Sequence, residues 1–205
     1  MEFKRTSNAG GLLLLDRIRI LIDGVANEFS PYQGTPEEIR RSLEKDIPDV
    51  IAFTHLHEDH YDCDYADYCI KAHKKIITPG YTTSVETDNV RIKTINTRHI
   101  GKSDVPHVSY VITGSKCVWF MGDASPLSLK KFKKDTKPDV LIAPFAFANT
   151  DSGWHIAKET GAKKIIILHL PAPSADEYGL RDAVLKTTGN DERLIIPEIG
   201  QITAI

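Results

Sequence analysis

The feature that most constrains this chain is a group of three histidines within six residues, directly after a short apolar run. The run Val50-Ile51-Ala52-Phe53 is rich in β-branched residues and predicts a buried strand that ends at these histidines. Side chains alternate along a strand, so His55 and His57 are expected on the same side. If the chain then turns into a helix, Asp59 and His60 reach a neighbouring position, far enough on to serve a second ion. Imidazole and carboxylate suit a borderline divalent cation such as zinc, so the sequence predicts a metal site here.

Length, composition and net charge limit the number of domains and the kinds of partner that can be expected. A chain of 205 residues, 41% apolar and 26% charged, predicts a single domain over residues 1–205 with a sizeable core. The formal net charge of −2 gives no electrostatic reason to expect a nucleic acid or an anionic membrane as the main partner. The one basic run, Lys130-Lys131-Phe132-Lys133-Lys134, is interpreted as a solvated helix face.

Cysteines and the N-terminal segment indicate the compartment. Cys63, Cys69 and Cys117 are too few and too widely spaced for a disulfide framework, which favours a reducing compartment. Cys63 follows the histidine cluster and could approach the metals, but we interpret it as a small packing residue. The apolar run Leu12 to Leu15 is broken at once by Asp16-Arg17, too early for a signal peptide or a membrane span. We therefore expect a cytoplasmic protein.

The rest of the chain alternates strand-like and helix-like segments with short links. Thr35-Pro36-Glu37-Glu38 and Ser174-Ala175-Asp176-Glu177 have the pattern of helix starts, with a capping hydroxyl three residues before a glutamate. Asp62 or Asp64 can cap the helix after the histidines, and Gly189 ends the last one. Such an order fits an α/β protein with two facing mixed sheets and helices outside. The predicted strands cover residues 11–15, 18–22, 76–78, 90–95, 108–113, 117–121, 140–143, 165–168, 194–196 and 201–205, the last two closing the second sheet.

Other ligand-type residues also follow strand-like runs. His99 ends one run, Asp123 follows Gly122 at the end of another, and His169 follows Ile165-Ile166-Ile167-Leu168. Each alone is weak evidence, because a glycine-aspartate pair or a histidine after a strand also occurs in ordinary turns. His107 competes with His99 and would otherwise lie behind the ligands or contact substrate. For the remaining histidines, His73 and His155, we expect structural roles.

The ordered set of these motifs resembles the metallo-β-lactamase-fold superfamily. The pattern His55-x-His57-x-Asp59-His60 is the specific part, and the resemblance extends over nearly the whole chain in the order of the later motifs. It implies a four-layer αβ/βα sandwich. It also favours His99 over His107, because the family ligand lies several residues before the following strand.

The resemblance further implies a ligand set and a reaction. His55, His57 and His99 would hold one ion, and Asp59, His60 and His169 the other, with the Asp123 carboxylate shared. A hydroxide bridging the two ions would then attack a small ester, lactone or phosphoester, and Asp59 would orient it and carry a proton. Zinc is the favoured metal, with manganese or iron as alternatives.

Substrate identity is the open part of the prediction. By size the chain looks most like the small bacterial hydrolases grouped with the ascorbate-phosphate lactonase, although Tyr61-Asp62-Cys63 replaces the glycines common after the motif. The alternatives are a metal-dependent phosphodiesterase or nuclease acting on RNA or DNA, and a non-hydrolytic metal protein. His57 argues against the diiron oxygen-reducing branch, which has glutamate there. Loops over residues 25–34 and 144–153 are expected to line the cleft, and the sequence predicts no oligomeric state.

Overall fold

The fold consists of two mixed β-sheets packed face to face, with helices on both outer surfaces. The computed structural model describes residues 1–80, 84–101, 104–132 and 137–205. The first sheet has the strand order β13-β1-β2-β3-β4-β5. Its strands are β1 (Glu2–Arg5), β2 (Gly11–Leu15), β3 (Ile18–Ile22), β4 (Val50–Ala52), β5 (Lys75–Ile77) and β13 (Ile202–Ala204).

The second sheet has the order β12-β11-β10-β9-β8-β7-β6. Its strands are β6 (Ser84–Glu86), β7 (Arg91–Asn96), β8 (Val108–Thr113), β9 (Cys117–Phe120), β10 (Val140–Pro144), β11 (Lys164–Leu168) and β12 (Leu194–Ile195). In each sheet one part is antiparallel and the other parallel, the parallel pairs being β3 to β5 and β9 to β12. The carboxyl ends of β4, β9 and β11 lie at one edge of the sandwich.

In the described part of the chain, four α-helices cover the sheets. They are α1 (Glu37–Lys45), α2 (Cys63–Lys71), α3 (Asp151–Glu159) and α4 (Leu180–Thr188), with short 3-10 helices at Pro126–Lys131, Phe145–Phe147 and Pro173–Ala175. Among the helices of the described ranges, none has both the length and the apolar composition needed to cross a bilayer.

Three hydrophobic clusters account for the layers. The central cluster joins the inner faces of the two sheets through residues such as Leu13, Ile20, Ile112 and Ile142, each at most 1% exposed. A second cluster packs α3 and α4 on the outer face of the second sheet, and a third packs α1 and α2 on the first. Burying each such side chain contributes about 1.5–3 kcal/mol. The layers confirm the predicted αβ/βα sandwich.

Two of the predicted helix starts are wrong in detail. The Thr35 hydroxyl accepts from the Ala26 amide at 3.0 Å and so closes the preceding loop, while Pro36 occupies the N-cap of α1. The last helix begins at Leu180 rather than after Ser174, because residues 173–175 form a 3-10 turn. Asp176 then accepts from the Leu180 amide at 2.9 Å. Thr35 therefore closes a loop instead of capping α1, and Asp176 contacts the first amides of α4 from outside the helix.

Other differences concern edges and surfaces. β13 joins the first sheet by pairing with β1, whereas we expected it to close the second; the polar strand β1 had not been predicted. The helical spacing of Leu180, Val184 and Leu185 predicts that all three face inward, but Leu185 is 52% exposed. Cys63 is exposed at the start of α2, so it is not a packing residue. In the basic run, Lys130 and Lys131 are exposed, and residues 133 and 134 lie outside the described residues.

Candidate metal centre

The histidine-rich segment follows the end of β4, at the edge of the first sheet. A tight turn follows His57, whose carbonyl accepts from the amides of His60 and Tyr61 at 2.9 Å each. Asp62 then caps α2 by accepting from the Tyr65 amide at 2.7 Å. Because the strand ends, turns and enters a helix within ten residues, the ligand-type side chains all remain at the edge of the sandwich.

Two loops of the second sheet bring the next residues to the same edge. His99 forms an isolated antiparallel bridge with Ala124, and the Ile100 amide donates to the Asp123 carbonyl at 2.8 Å. Gly122 has a φ of 53°, and a Cβ atom there would lie 2.5 Å from the Thr54 hydroxyl. Only glycine allows both this conformation and this approach, so it sets Asp123 directly against the segment that carries the histidines.

His169 comes from the end of β11 and completes the group. Its φ of 62° is unusual for a residue with a side chain. Nε2 of His169 lies 3.1 Å from Oδ2 of Asp59 and 3.3 Å from Oδ2 of Asp123. The residue therefore connects the turn of the first sheet with the Asp123 loop of the second.

The structure brings together all seven of the predicted ligand residues. Their ligand atoms form three overlapping groups, each within 4.8 Å. Nε2 of His60 lies 3.4 Å from Oδ1 of Asp123, and Nε2 of His55 lies 3.0 Å from Nδ1 of His57. The groups are His55, His57 and His99; His55, His60 and Asp123; and Asp59, His60 and His169.

The donor atoms of these residues fit a divalent cation. Nitrogen and oxygen ligands at about 2.1 Å from a tetrahedral zinc ion lie about 3.4 Å from one another, close to the separations seen here. Within the described ranges, Nε2 of His60, His99 and His169 and Oδ1 of Asp123 are buried without a hydrogen-bond partner. Buried polar atoms are rarely left unpaired, so their convergence indicates a site built for a positively charged species.

Three of the rings are held through their other nitrogen. Nδ1 of His60 faces Asp23, Nδ1 of His55 faces the Thr54 hydroxyl, and Nδ1 of His99 faces the Ile100 carbonyl. A hydrogen bond at Nδ1 leaves the Nε2 lone pair free, which is the usual arrangement of a metal-binding histidine. The ring orientations are thus fixed by the protein.

Asp23 is the functional residue that sequence reasoning missed. It is fully buried, and its carboxylate accepts from the Thr54 amide at 2.8 Å and from Nδ1 of His60 at 2.9 Å. The Thr54 hydroxyl also donates to it. The only available signal was an aspartate-glycine pair at the end of β3, which also occurs at ordinary turns.

The electrostatics of the centre follow from burial and close opposite charges. Burial lowers the pKa of His55 far below its ordinary value, with help from the charge on His60. Burial alone would also lower the pKa of His169, but Asp123 and Asp59 raise it to about 9. Burial would raise the pKa of Asp123, but His169 and His60 hold it well below its usual range. The site therefore keeps its carboxylates anionic, beside histidines that can bind a cation or a proton.

The other histidines take different positions. His107 is buried, its Nδ1 lies 2.8 Å from the Thr97 hydroxyl, and burial lowers its pKa to about 3. Its ring lies 5.2 Å from that of His55, but within the described chain it belongs to none of the three ligand groups. His155 is exposed on α3 and pairs with Glu159 at 3.3 Å. His73 is exposed at the end of α2.

Two aromatic residues lie against the centre. The Tyr32 ring meets that of His169 edge-on at 4.3 Å, and burial raises the pKa of Tyr32 to about 12. The loop that carries Tyr32 is tied to the histidine segment by the Asn27 amide, which donates to the Glu58 carbonyl at 3.0 Å. Phe145, from the loop after β10, lies 6.0 Å from His169. Each of the two predicted cleft loops therefore contributes one aromatic residue.

The remainder of the second loop is structural. Phe147 is fully buried, and the Thr150 hydroxyl accepts from the Gly153 amide to cap α3. The sequence predicts a helix from Trp154 to Thr160 closed by Gly161, whereas α3 begins at Asp151, three residues earlier. Asn149 and Asp151 have no described contact with the centre.

Comparison with known proteins identifies the family. The model of a β-lactamase superfamily domain matches residues 13–169. A search of curated protein sequences finds no significant match. The chain is similar in structure to a possible metal-dependent hydrolase from Veillonella parvula, with 15% identity over 100% of this chain and 99% of that one and a TM-score of 0.71.

Two further solved structures show the breadth of this fold. An isothiocyanate hydrolase from Delia radicum gut bacteria has 16% identity over 100% of this chain and 99% of that one, with a TM-score of 0.69. CmlA, a diiron β-hydroxylase from Streptomyces venezuelae, has 10% identity over 100% of this chain and 54% of that one, with a TM-score of 0.68. The fold alone therefore does not determine which metal or which substrate a protein binds.

The family match covers most of the chain, and it spans every one of the seven clustered residues. The chain belongs to the β-lactamase superfamily and has the metallo-β-lactamase fold.

Proposed function

We propose that this protein is a hydrolase that uses two divalent metal ions to cleave a small ester, lactone or phosphoester. The observation that carries the proposal is the convergence of buried, unpartnered imidazole nitrogens with a carboxylate oxygen from four separate segments of the described chain. His55, His57 and His99 would hold one ion, Asp59, His60 and His169 the other, and Asp123 both. Bound ions of this kind supply a hydroxide near neutral pH and polarise the oxygen of the attacked group.

The protein groups have distinct tasks in this proposal. Asp123 can serve both positions because its two oxygens face different histidines, with Oδ1 3.4 Å from His60 and Oδ2 3.8 Å from His99. Asp59 is the catalytic residue, since its Oδ2 lies between His60 and His169 at 3.8 and 3.1 Å and can orient a water and accept its proton. Tyr32 and Phe145 limit the space above His169.

A small molecule is the proposed substrate. The aromatic residues beside His169 and the absence of net positive charge favour a compact substrate over a polynucleotide. Zinc is the proposed metal because the donors are imidazole and carboxylate. All three cysteines lie in the described part of the chain and are free, which supports a reducing compartment, and we propose the cytoplasm.

Metal analysis joined to a substrate panel tests the proposal. The purified protein would be analysed for zinc, manganese and iron, then assayed on a lactone, a p-nitrophenyl ester, a phosphomonoester and bis(p-nitrophenyl) phosphate. We expect metal-dependent turnover of one of the first three. Turnover confined to the phosphodiester, or RNA cleavage, would favour the nuclease alternative. Bound iron with oxygen-dependent turnover, and no hydrolysis, would contradict both.

A further inference from the structure

Arg5, at the end of β1, is a buried cation outside the candidate metal centre. It is 2% exposed, and its guanidinium donates to four backbone carbonyls. Nε donates to Ser7 at 3.1 Å, Nη1 to Pro197 at 2.9 Å, and Nη2 to both Asn8 and Leu170 at 2.9 Å. One side chain therefore joins three segments that are far apart in the sequence.

Nη2 of Arg5 contacts two carbonyls that adjoin the backbone of His169. The His169 amide donates to the Asn8 carbonyl at 3.1 Å, the same carbonyl that Nη2 of Arg5 contacts. The other Nη2 contact is to the carbonyl of Leu170, the residue directly after His169. The guanidinium thus fixes both the acceptor of the His169 amide and the chain that follows it.

His169 has a backbone conformation that requires such support. Its φ of 62° lies in the left-handed region, which costs a residue with a side chain free energy unless the surroundings impose it. Its ring nitrogens have no hydrogen-bond partner among the described residues, so no bond at Nδ1 orients the ring, in contrast to His55 and His60. Besides the approach of Nε2 to Asp59 and Asp123, the orientation of this ring depends on its backbone and on the edge contact with Tyr32.

The surroundings of Arg5 are specific to a guanidinium. Within the described chain no carboxylate lies within ion-pair distance of it, and burial lowers its pKa to about 10. Five N–H groups in a planar fork can serve four carbonyls at once, whereas an ammonium group carries its donors on one atom. Removing the guanidinium group of Arg5 would leave buried carbonyls without this donor and would loosen the segment that carries His169.

We propose that Arg5 is a positioning residue for His169, acting through the carbonyls of Asn8 and Leu170. The inference rests on the proposed function in one respect, namely that His169 binds an ion. Arg5 does not touch substrate or metal in this account. Its effect is confined to the group formed by Asp59, His60 and His169 and leaves His55, His57 and His99 in place.

The test compares Arg5→Met, Arg5→Lys and the control Leu15→Ala. Leu15 is a central core residue, 1% exposed, so its truncation lowers global stability without changing any contact of His169. In metal-free protein, amide hydrogen exchange is measured over residues 167–171 and over the central strands. In zinc titrations, the affinities of the tighter and weaker ions are measured separately.

We expect exchange at the His169 amide to accelerate about tenfold or more in Arg5→Met relative to the central strands, and less in Arg5→Lys. One zinc affinity should fall about 10- to 100-fold and the other should stay within about threefold. Leu15→Ala should accelerate exchange throughout and change neither affinity. Unchanged local exchange and zinc affinities in both Arg5 variants would overturn the inference, as would the same pattern in Leu15→Ala. A wild-type protein that binds no zinc would refute the proposed function, while the exchange data would still decide whether Arg5 holds His169.

Discussion

Nδ1 of His60 lies 2.9 Å from the carboxylate of Asp23, although the two residues are 37 positions apart in the sequence. The parallel pairing of β3 with β4 places Asp23 beside the start of the histidine segment. The same carboxylate accepts from Thr54, whose hydroxyl faces Nδ1 of His55. One buried aspartate therefore orients a histidine proposed for each of the two ions.

We predict that Asp23→Ala weakens zinc binding about 10- to 100-fold, because His60 loses its orienting partner and the Thr54 hydroxyl that faces His55 loses its acceptor. It should also lower the free energy of unfolding by about 1–3 kcal/mol, since the Thr54 amide and hydroxyl are left unpaired in the core. Competition with a chelating dye measures the first effect and urea denaturation the second. An unchanged zinc affinity would show that Asp23 only supports the fold.

Substitution of the ligands themselves should separate catalysis from folding. We expect Asp59→Ala and His169→Ala each to abolish turnover and to reduce metal content by up to one equivalent, while circular dichroism stays that of the wild type. His155→Ala is the matched control, because His155 is exposed on α3 and pairs with Glu159. His73→Ala should likewise change nothing measurable. Wild-type turnover rates in both Asp59→Ala and His169→Ala would contradict the proposed metal centre.

The Tyr32 side chain provides a test of the cleft. Its hydroxyl has no hydrogen bond within the part of the chain that the structure describes, while its ring packs on His169. We expect Tyr32→Phe to lower kcat/KM about 10-fold if the hydroxyl contacts the substrate, and Tyr32→Ala to lower it further because His169 loses its edge contact. Steady-state kinetics on the best substrate of the panel gives both values. Equal rates in all three proteins would place the substrate away from this loop.

The acid dependence of stability should depend on Asp62. Its carboxylate accepts from Arg40 at 2.7 Å and caps α2, and although burial raises its pKa, the bonds from Arg40 and the Tyr65 amide bring it below the ordinary 3.8. A lowered folded-state pKa gives stability that is present above pH 3.8 and is lost as the pH falls through the folded value.

Asp62→Ala should therefore lower the free energy of unfolding by about 0.5–2 kcal/mol at neutral pH and by less near about pH 3. Asp62→Asn keeps a capping oxygen but loses the charge, so it should fall between the two proteins. Urea denaturation of the three proteins at both pH values measures these differences. A deficit of equal size at both pH values would contradict the assigned role of the charge.

The short motif and the apolar strand-like runs marked the ligand residues as candidates, and the resemblance to the superfamily joined them into one predicted ligand set. His55, His57, Asp59 and His60 share one turn, and His99, Asp123 and His169 follow strands whose ends meet at the same edge. The sandwich followed from the alternation of such runs, and its family is confirmed. The ligand roles, the metal and the substrate stay predictions.

The supporting residues could not be predicted in this way. Asp23 has the local sequence of an ordinary turn, and its function depends on a parallel pairing with a strand almost 30 residues further on. Arg5 lies in a short polar strand, and three of the carbonyls that define its role belong to other segments or to a turn. The start of α4 was predicted too early because residues 173–175 form a 3-10 turn, and Asp176, which follows that turn, accepts from the Leu180 amide at the start of the helix.

The most direct test of the central claim is the stoichiometry of zinc binding, measured by elemental analysis after dialysis against excess zinc and gel filtration. The account predicts about two zinc ions per wild-type chain and about one in His169→Ala. A wild-type protein that retains no zinc, or a His169→Ala variant that retains as much as the wild type, would contradict it.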